Sequence, residues 1–292
     1  MGAHLEQLVA PEEMVKMSSR YKIGWFSSGR GEGSRNLLRA VRDSIDGGEI
    51  DAQISWVFCN REQGQAEGSD AFIRQVEGYG IPLICVSSQR MRERHGDEWR
   101  PRFEEEAMRA LEGRDADIVV LAGYMLIAGA DMCRRYPMLN LHPAAPGGPK
   151  GTWKEVIWEL IDNNAAETGV MMHRATPVLD EGPPVTFCTL SIRGKHFDKL
   201  WEAIKGRTVS DILAAEGEEN LLFKEIRKHG AARELPLIVA TLKAFSQGKV
   251  RIEGDGIVDG RGNPIQAYDL SVEVDRAVKR HCLPDADEPA NE

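Results

Sequence analysis

The feature that most constrains this chain is a regular alternation of two hydrophobic periods. Residues 21–26, 54–59, 81–86 and 118–121 are short apolar runs of β type, and residues 34–45, 70–79 and 99–112 between them carry helical spacing. The alternation continues with apolar runs at 138–141, 169–172 and 184–192 and a helical pattern at 152–163. Short strands separated by helices of about 10–15 residues make βαβ units, so the expected fold class is α/β with a doubly wound, mostly parallel sheet. Ligands of such sheets bind beyond the carboxyl ends of the strands. The loops that follow each strand are therefore where chemistry is expected.

The last hundred residues read differently. Residues 197–215, 221–228 and 236–246 have helical patterns, and Gly254-Asp255 between residues 249–253 and 256–259 is a hairpin signal. The expected organisation is an N-terminal extension over 1–20, an α/β domain over 21–192, a helical lobe with a short hairpin packed on the same domain over 193–281, and an acidic, disordered tail over 282–292. The 292 residues suffice for one large core. No apolar run approaches the ~18 residues that span a bilayer, and the first twenty residues lack the apolar stretch of a secretory signal. No membrane association and a cytoplasmic location are the default expectations. The net charge of −9 argues against a general nucleic-acid binder, although a local group of donors suffices for an anionic small substrate. The five cysteines, Cys59, Cys85, Cys133, Cys188 and Cys282, are odd in number and far apart in sequence. That pattern supports neither a disulfide framework nor a zinc knuckle, and Cys59 and Cys85 read as buried strand thiols.

Four loops stand out. The first, Ser27 to Asn36, contains Gly29, Gly31 and Gly33 and opens a helix with Ser34 as a candidate cap. Crowded backbone N–H groups at a helix N-terminus can cradle a phosphate, and a plain glycine-rich turn is an equal reading. The second, Val120 to Ile127, runs on past its strand as an apolar segment suited to a flat heterocycle, though alone it reads as core. The third is Met138-Leu139-Asn140-Leu141-His142-Pro143. Asn140 and His142 are two apart on a strand and face the same side, where an amide and an imidazole can polarise a carbonyl and handle a proton. The fourth is Gly169 to His173 followed by Asp180-Glu181-Gly182-Pro183. Asp180 can orient His142 and adjust its basicity, whereas His173 is expected simply to pack.

Taken in this order, Gly33-Ser34 with Asn36, Leu121 to Met125, Asn140-Leu141-His142-Pro143, and Gly169 to His173 with Asp180 to Pro183 resemble the folate-dependent formyltransferases. Within that family they are nearest the branch that formylates glycinamide ribonucleotide. The resemblance covers roughly residues 22–192 and implies a Rossmann-like formyltransferase domain. It implies that Asn140, His142 and Asp180 are catalytic, that Gly33, Ser34, Arg35 and Asn36 hold the acceptor's phosphate, and that Arg100, Met125, Leu126, Ile127, Ala128 and Asn140 meet the folate. The implied co-substrate is 10-formyltetrahydrofolate, with no metal, small-molecule partners, and room for a homodimer.

The sequence also departs from the family. The family usually follows His-Pro with Ser-Leu-Leu-Pro, where this chain has Ala144 to Trp153, and often has Arg where this chain has Leu126. The first loop is longer and carries Arg30, Glu32 and Arg35. These changes bear on the acceptor, so a nucleotide-linked amino sugar is an alternative to glycinamide ribonucleotide. Hydrolysis of formyl-folate usually comes with an N-terminal regulatory domain, for which about twenty residues are too few. Formylation of initiator tRNA would favour a basic C-terminal barrel, and a non-catalytic folate- or nucleotide-binding module would not need the three catalytic residues. Arg227, Arg233 and Glu234 read either as acceptor contacts or as a solvated charged helix face.

Overall fold

The computed structural model describes residues 20–281. The expected N-terminal extension and acidic tail fall outside the described residues. The chain begins β1 (Tyr21–Ser27), α1 (Glu32–Asp46), β2 (Ala52–Cys59), α2 (Glu67–Gly78), β3 (Leu83–Cys85), α3 (Ser88–His95), α4 (Trp99–Ala110) and β4 (Ile118–Leu121). It continues through α5 (Ala130–Arg135), β5 (Met138–His142), α6 (Trp153–Asp162), β6 (Glu167–Arg174) and β7 (Pro184–Ser191). The C-terminal part contains α7 (Lys195–Ala203), α8 (Val209–Ala215), α9 (Leu221–Ser246), β8 (Val250–Glu253), β9 (Gly256–Asp259), β10 (Pro264–Ile265), β11 (Tyr268–Asp269) and α10 (Ser271–His281).

Eight strands form one sheet in the order β11-β7-β6-β5-β4-β1-β2-β3. β3, β2, β1, β4 and β5 run parallel, β6 is antiparallel to both β5 and β7, and β11 joins β7 in parallel. The strand order reverses next to β1, whose two neighbours are β2 and β4. This is the switch point of a doubly wound sheet, and it opens the crevice where ligands collect.

The strands around β1 are mainly apolar because both faces of the sheet are covered, and β4 is apolar throughout. Alternate side chains then serve opposite faces. Ile23, Trp25, Val57, Ile118, Val120 and Leu139 enter one core, packed by α1, α9 and α10. Phe26, Trp56, Phe58, Val119, Leu121 and Met138 enter the other, packed by α4 and α5. Gly24 interrupts β1 because a Cβ there would lie 2.5 Å from the Trp56 indole, which fills the gap. A third cluster joins α6, α7, α8 and the first half of α9.

The helix α9 is a single element of 26 residues that passes through Pro236, where the sequence suggests two separate helices. Its first half buries Leu222, Phe223 and Ile226 in the third cluster, and its second half buries Leu237, Ile238 and Leu242 in the first. Burial at both ends outweighs the one backbone bond that proline cannot donate. The hairpin β8–β9 forms as expected and gains β10 as a third strand. The chain then returns to the main sheet through the two residues of β11. Cys59 is fully buried and Cys85 partly so, and the two stand opposite each other across β2 and β3. Among the described residues no helix is long and apolar enough to cross a membrane.

Candidate active site

The site assembles at the carboxyl ends of β5, β4 and β1. Asn140 and His142 lie two apart on β5, and the antiparallel neighbour β6 sets His173 directly opposite Asn140. Asn140 Nδ2 donates to His173 Nε2 at 3.1 Å. The other ring nitrogen of His173 lies 3.0 Å from the Arg174 carbonyl. A carbonyl only accepts, so Nδ1 carries the proton and Nε2 keeps the lone pair that Asn140 addresses. Burial pushes the basicity of His173 below that of an ordinary histidine, against the Arg174 carbonyl and Asp180, which push the other way. His173 is thus a neutral hydrogen-bonding member of the site and does more than pack.

His142 is 2% exposed. Its Nε2 donates to the Pro149 carbonyl at 2.9 Å. By the same reasoning Nε2 carries the proton, and Nδ1 is the ring nitrogen left with a lone pair. That nitrogen faces Asp180 Oδ2 at 3.8 Å. The other oxygen, Oδ1, lies 3.5 Å from His173 Nε2. One carboxylate thus sits between two imidazoles whose rings are 6.0 Å apart and nearly perpendicular. The Asp180 side chain is itself 8% exposed, so its charge acts with little screening by water.

Local backbone explains how Asp180 gets there. The loop after β6 turns back through Asp180 at φ 53°, in the left-handed region where Asp and Asn are the tolerated non-glycine residues. Two residues on, Gly182 crosses the Arg174 carbonyl so closely that a Cβ would fall 2.7 Å from its carbon. The pairing Arg174 N to Pro183 O at 2.9 Å then closes the loop.

The loops after β1 and β4 are stitched together beside this cluster. Ser28 N donates to Gly123 O at 3.0 Å, and Met125 N donates to Ser28 Oγ at 2.9 Å. Gly123 is left-handed at φ 67°, and a Cβ there would lie 2.5 Å from Ser34 Oγ. Helix α1 starts earlier than the sequence suggests, with Gly31 as its cap and Glu32 in its first turn. Ser34 is therefore inside the helix, almost fully buried against the β4 loop, and does not cap. Gly33 is exposed with open space where a Cβ would be, and Arg35 and Asn36 are half-buried. Asn36 Oδ1 is buried without a hydrogen-bond partner among the described residues.

In the β4 loop, Met125 is 60% exposed and Ile127 36%, while Leu126 packs on the second core and Ala128 is buried. Arg100, at the start of α4, donates through Nη2 to Ile127 O at 3.1 Å and so braces this loop. Val178 and Leu179 are also exposed immediately before Asp180. Met125 and Ile127 after β4 and Val178 and Leu179 after β6 are thus exposed apolar side chains, and the second pair carries no periodicity that would single it out in the sequence. Arg227 pairs with Glu234 at 2.6 Å and lies over the Trp153 ring, and Arg233 pairs with Asp275 at 2.8 Å. These charges are tied into the C-terminal helices.

An amide, two buried imidazoles and a carboxylate thus cluster on β5, β6 and the loop that follows β6, with β4 between β5 and the switch-point strand β1. Residues 22–197 match the formyl transferase family, and the chain belongs to it. The first curated relatives it matches are a phosphoribosylglycinamide formyltransferase and a trifunctional purine biosynthetic protein, of which the chain spans 62% and 12% of the length. The phosphoribosylglycinamide formyltransferase of Saccharomyces cerevisiae is 28% identical over 155 residues, which is 51% of this chain and 62% of the yeast protein. The phosphoribosylglycinamide formyltransferase of Coxiella burnetii superposes with a TM-score of 0.61 at 20% identity, covering 86% of this chain and 99% of that one. A formyltetrahydrofolate deformylase from Pseudomonas syringae shares the fold with a TM-score of 0.57 at 18% identity, covering 83% of this chain and 66% of its own.

Proposed function

We propose that this protein transfers the formyl group of 10-formyltetrahydrofolate to the amine of glycinamide ribonucleotide, a step of purine biosynthesis. The observation that carries the reading is the buried network Asn140–His173–Asp180–His142 at the end of β5. The acceptor's amine attacks the formyl carbon, a C–N bond forms, and negative charge develops on the former carbonyl oxygen. An amide has two N–H donors and Asn140 spends one on His173, so the second serves that oxygen. A donor of this kind is worth about 10²–10³ in rate. The proton released by the attacking nitrogen is taken at His142 Nδ1, where Asp180 stabilises the imidazolium. It is then returned to the folate nitrogen as the bond from that nitrogen to the formyl carbon breaks. Proton transfer of this kind contributes about 10²–10⁴.

The remaining assignments follow the layout of the loops. Met125, Leu126, Ile127 and Ala128, braced by Arg100, form the folate side, with Val178 and Leu179 as its apolar far wall. Gly33, Ser34, Arg35 and Asn36 at the start of α1 form the phosphate side, where backbone N–H groups and the helix dipole favour an anion. The test is a spectroscopic deformylation assay with a 10-formyl-folate analogue against water, glycinamide ribonucleotide, an amino-sugar nucleotide and initiator tRNA. Turnover is expected with glycinamide ribonucleotide. Formate release in water alone would assign a hydrolase, and turnover only with another amine would reassign the acceptor.

A further inference from the structure

A second cluster of ionisable side chains, sharing no residue with the site above, lies where the start of α7 meets the first half of α9. Glu225 and His229 are one turn apart on α9 and present the same face. His196 reaches them from α7. His196 Nε2 lies 2.8 Å from Glu225 Oε1, and His229 Nε2 lies 3.0 Å from the same oxygen. Lys228 Nζ approaches it at 3.3 Å as well. One carboxylate oxygen thus faces three donors with two lone pairs to offer. Phe197, which is buried, stands against both imidazoles, with centroid distances of 5.6 Å to His196 and 5.3 Å to His229. Its ring limits how either histidine can turn away.

We propose that His196, Glu225 and His229 form a binding site for a zinc-class divalent cation that clips α7 to α9. Their three ligand atoms already lie within 4.8 Å of one another. Two imidazole nitrogens and one carboxylate oxygen suit Zn²⁺ and its first-row neighbours, whereas Mg²⁺ and Ca²⁺ prefer oxygen-only sets. Ligand atoms around a tetrahedral zinc sit about 3.3 Å apart, so the two nitrogen–oxygen separations of 2.8 and 3.0 Å must widen by about half an ångström or less, while the two imidazole nitrogens already lie within 4.8 Å of each other. The side chain of His196 is 65% exposed and free to make that adjustment, and the exposed Lys228 ammonium can swing into water. Three protein ligands leave a fourth position for water. The cation would hold together two helices that are separate in sequence and would stabilise the folded chain by binding it alone.

Calorimetric titration of the full chain with ZnCl₂ at neutral pH tests the site. One equivalent of metal is expected to bind. His196→Ala and His229→Gln are each expected to weaken binding at least about tenfold. The melting midpoint should rise with ZnCl₂ relative to EDTA in the wild type, not rise in His196→Ala, and not respond to MgCl₂. Circular dichroism checks that His196→Ala, altered at an exposed side chain, keeps its helices. Absence of stoichiometric binding at micromolar zinc would overturn the proposal. Wild-type affinity in both variants would also overturn it, by locating the metal elsewhere, for instance between His142, His173 and Asp180.

Discussion

Replacing Gly182 by alanine strikes the support of the site without touching a proposed reacting group. The added Cβ would stand 2.7 Å from the Arg174 carbonyl carbon, closer still to its oxygen, and 3.3 Å from His173 Nδ1. Non-bonded carbons settle at about 3.5–4.0 Å and the carbonyl oxygen is nearer than its carbon, so residue 182 must retreat by at least about 1 Å. The Arg174 carbonyl is the acceptor that fixes His173, and Arg174 N is bound to Pro183 O, so the retreat strains both bonds. Overpacking costs about 1–3 kcal/mol and a weakened backbone bond about 0.5–1.5 kcal/mol. A stability loss of about 2–4 kcal/mol follows, read as a shift in the urea midpoint at unchanged slope. Asp180, two residues upstream in the same loop, moves with it, and a misplacement of about 1 Å costs about 10² in turnover. A variant within about 0.5 kcal/mol and twofold of wild-type turnover would refute the claim that this crossing positions the carboxylate.

Three further outcomes separate support from chemistry. Gly230→Ala, in the middle of α9 with open space at the Cβ position, should stabilise the protein by about 0.5–1 kcal/mol in the same urea assay. Because burial holds His173 below the ordinary value of 6.5, the unfolded chain takes up that proton first. The contribution of His173 is therefore complete above that value and is lost as pH falls through the lowered one. His173→Gln should flatten the decline of stability measured from about pH 7 to about pH 5, leaving the residual slope from His229, which is shifted the same way. Arg100→Ala removes an exposed bond to Ile127 O, so folding stability should change by less than about 0.5 kcal/mol while KM for the formyl donor rises.

The sheet was legible because its period is carried by long apolar runs. In β1, β2 and β4 each successive residue enters the opposite core, and such runs admit no other reading once helices separate them. Several elements lack that signal. Helix α3 buries Ser88 and Met91 and otherwise presents charged or polar residues, so it shows no apolar stripe. Strand β11 is two residues long and is defined only by pairing with β7. Helix α9 hides behind Pro236, whose local cost is overridden by burial that is visible only in three dimensions.

The site divides in the same way. Asn140 and His142 announce themselves by sharing a strand face, and Asp180 by its place in a glycine- and proline-bounded loop. His173 looks like core because it ends an apolar strand, and its bond to Asn140 depends on the register of β5 and β6. The cluster of His196, Glu225 and His229 is invisible in one dimension, since 29 residues separate His196 from Glu225. The start of α1 shifted because glycine at the cap serves nearly as well as serine, which leaves Ser34 free to pack against Gly123.

The most direct test of the central claim is the turnover of Asp180→Asn with 10-formyltetrahydrofolate and glycinamide ribonucleotide. Asparagine matches aspartate in shape and tolerates the left-handed backbone at φ 53°, so the fold should persist with an unchanged urea midpoint. The carboxylate that faces His142 Nδ1 at 3.8 Å is lost, and with it the stabilisation of the imidazolium. The account predicts a fall in kcat of about 10²–10⁴ with KM for both substrates little changed. Near-wild-type kcat in a folded Asp180→Asn protein would contradict it.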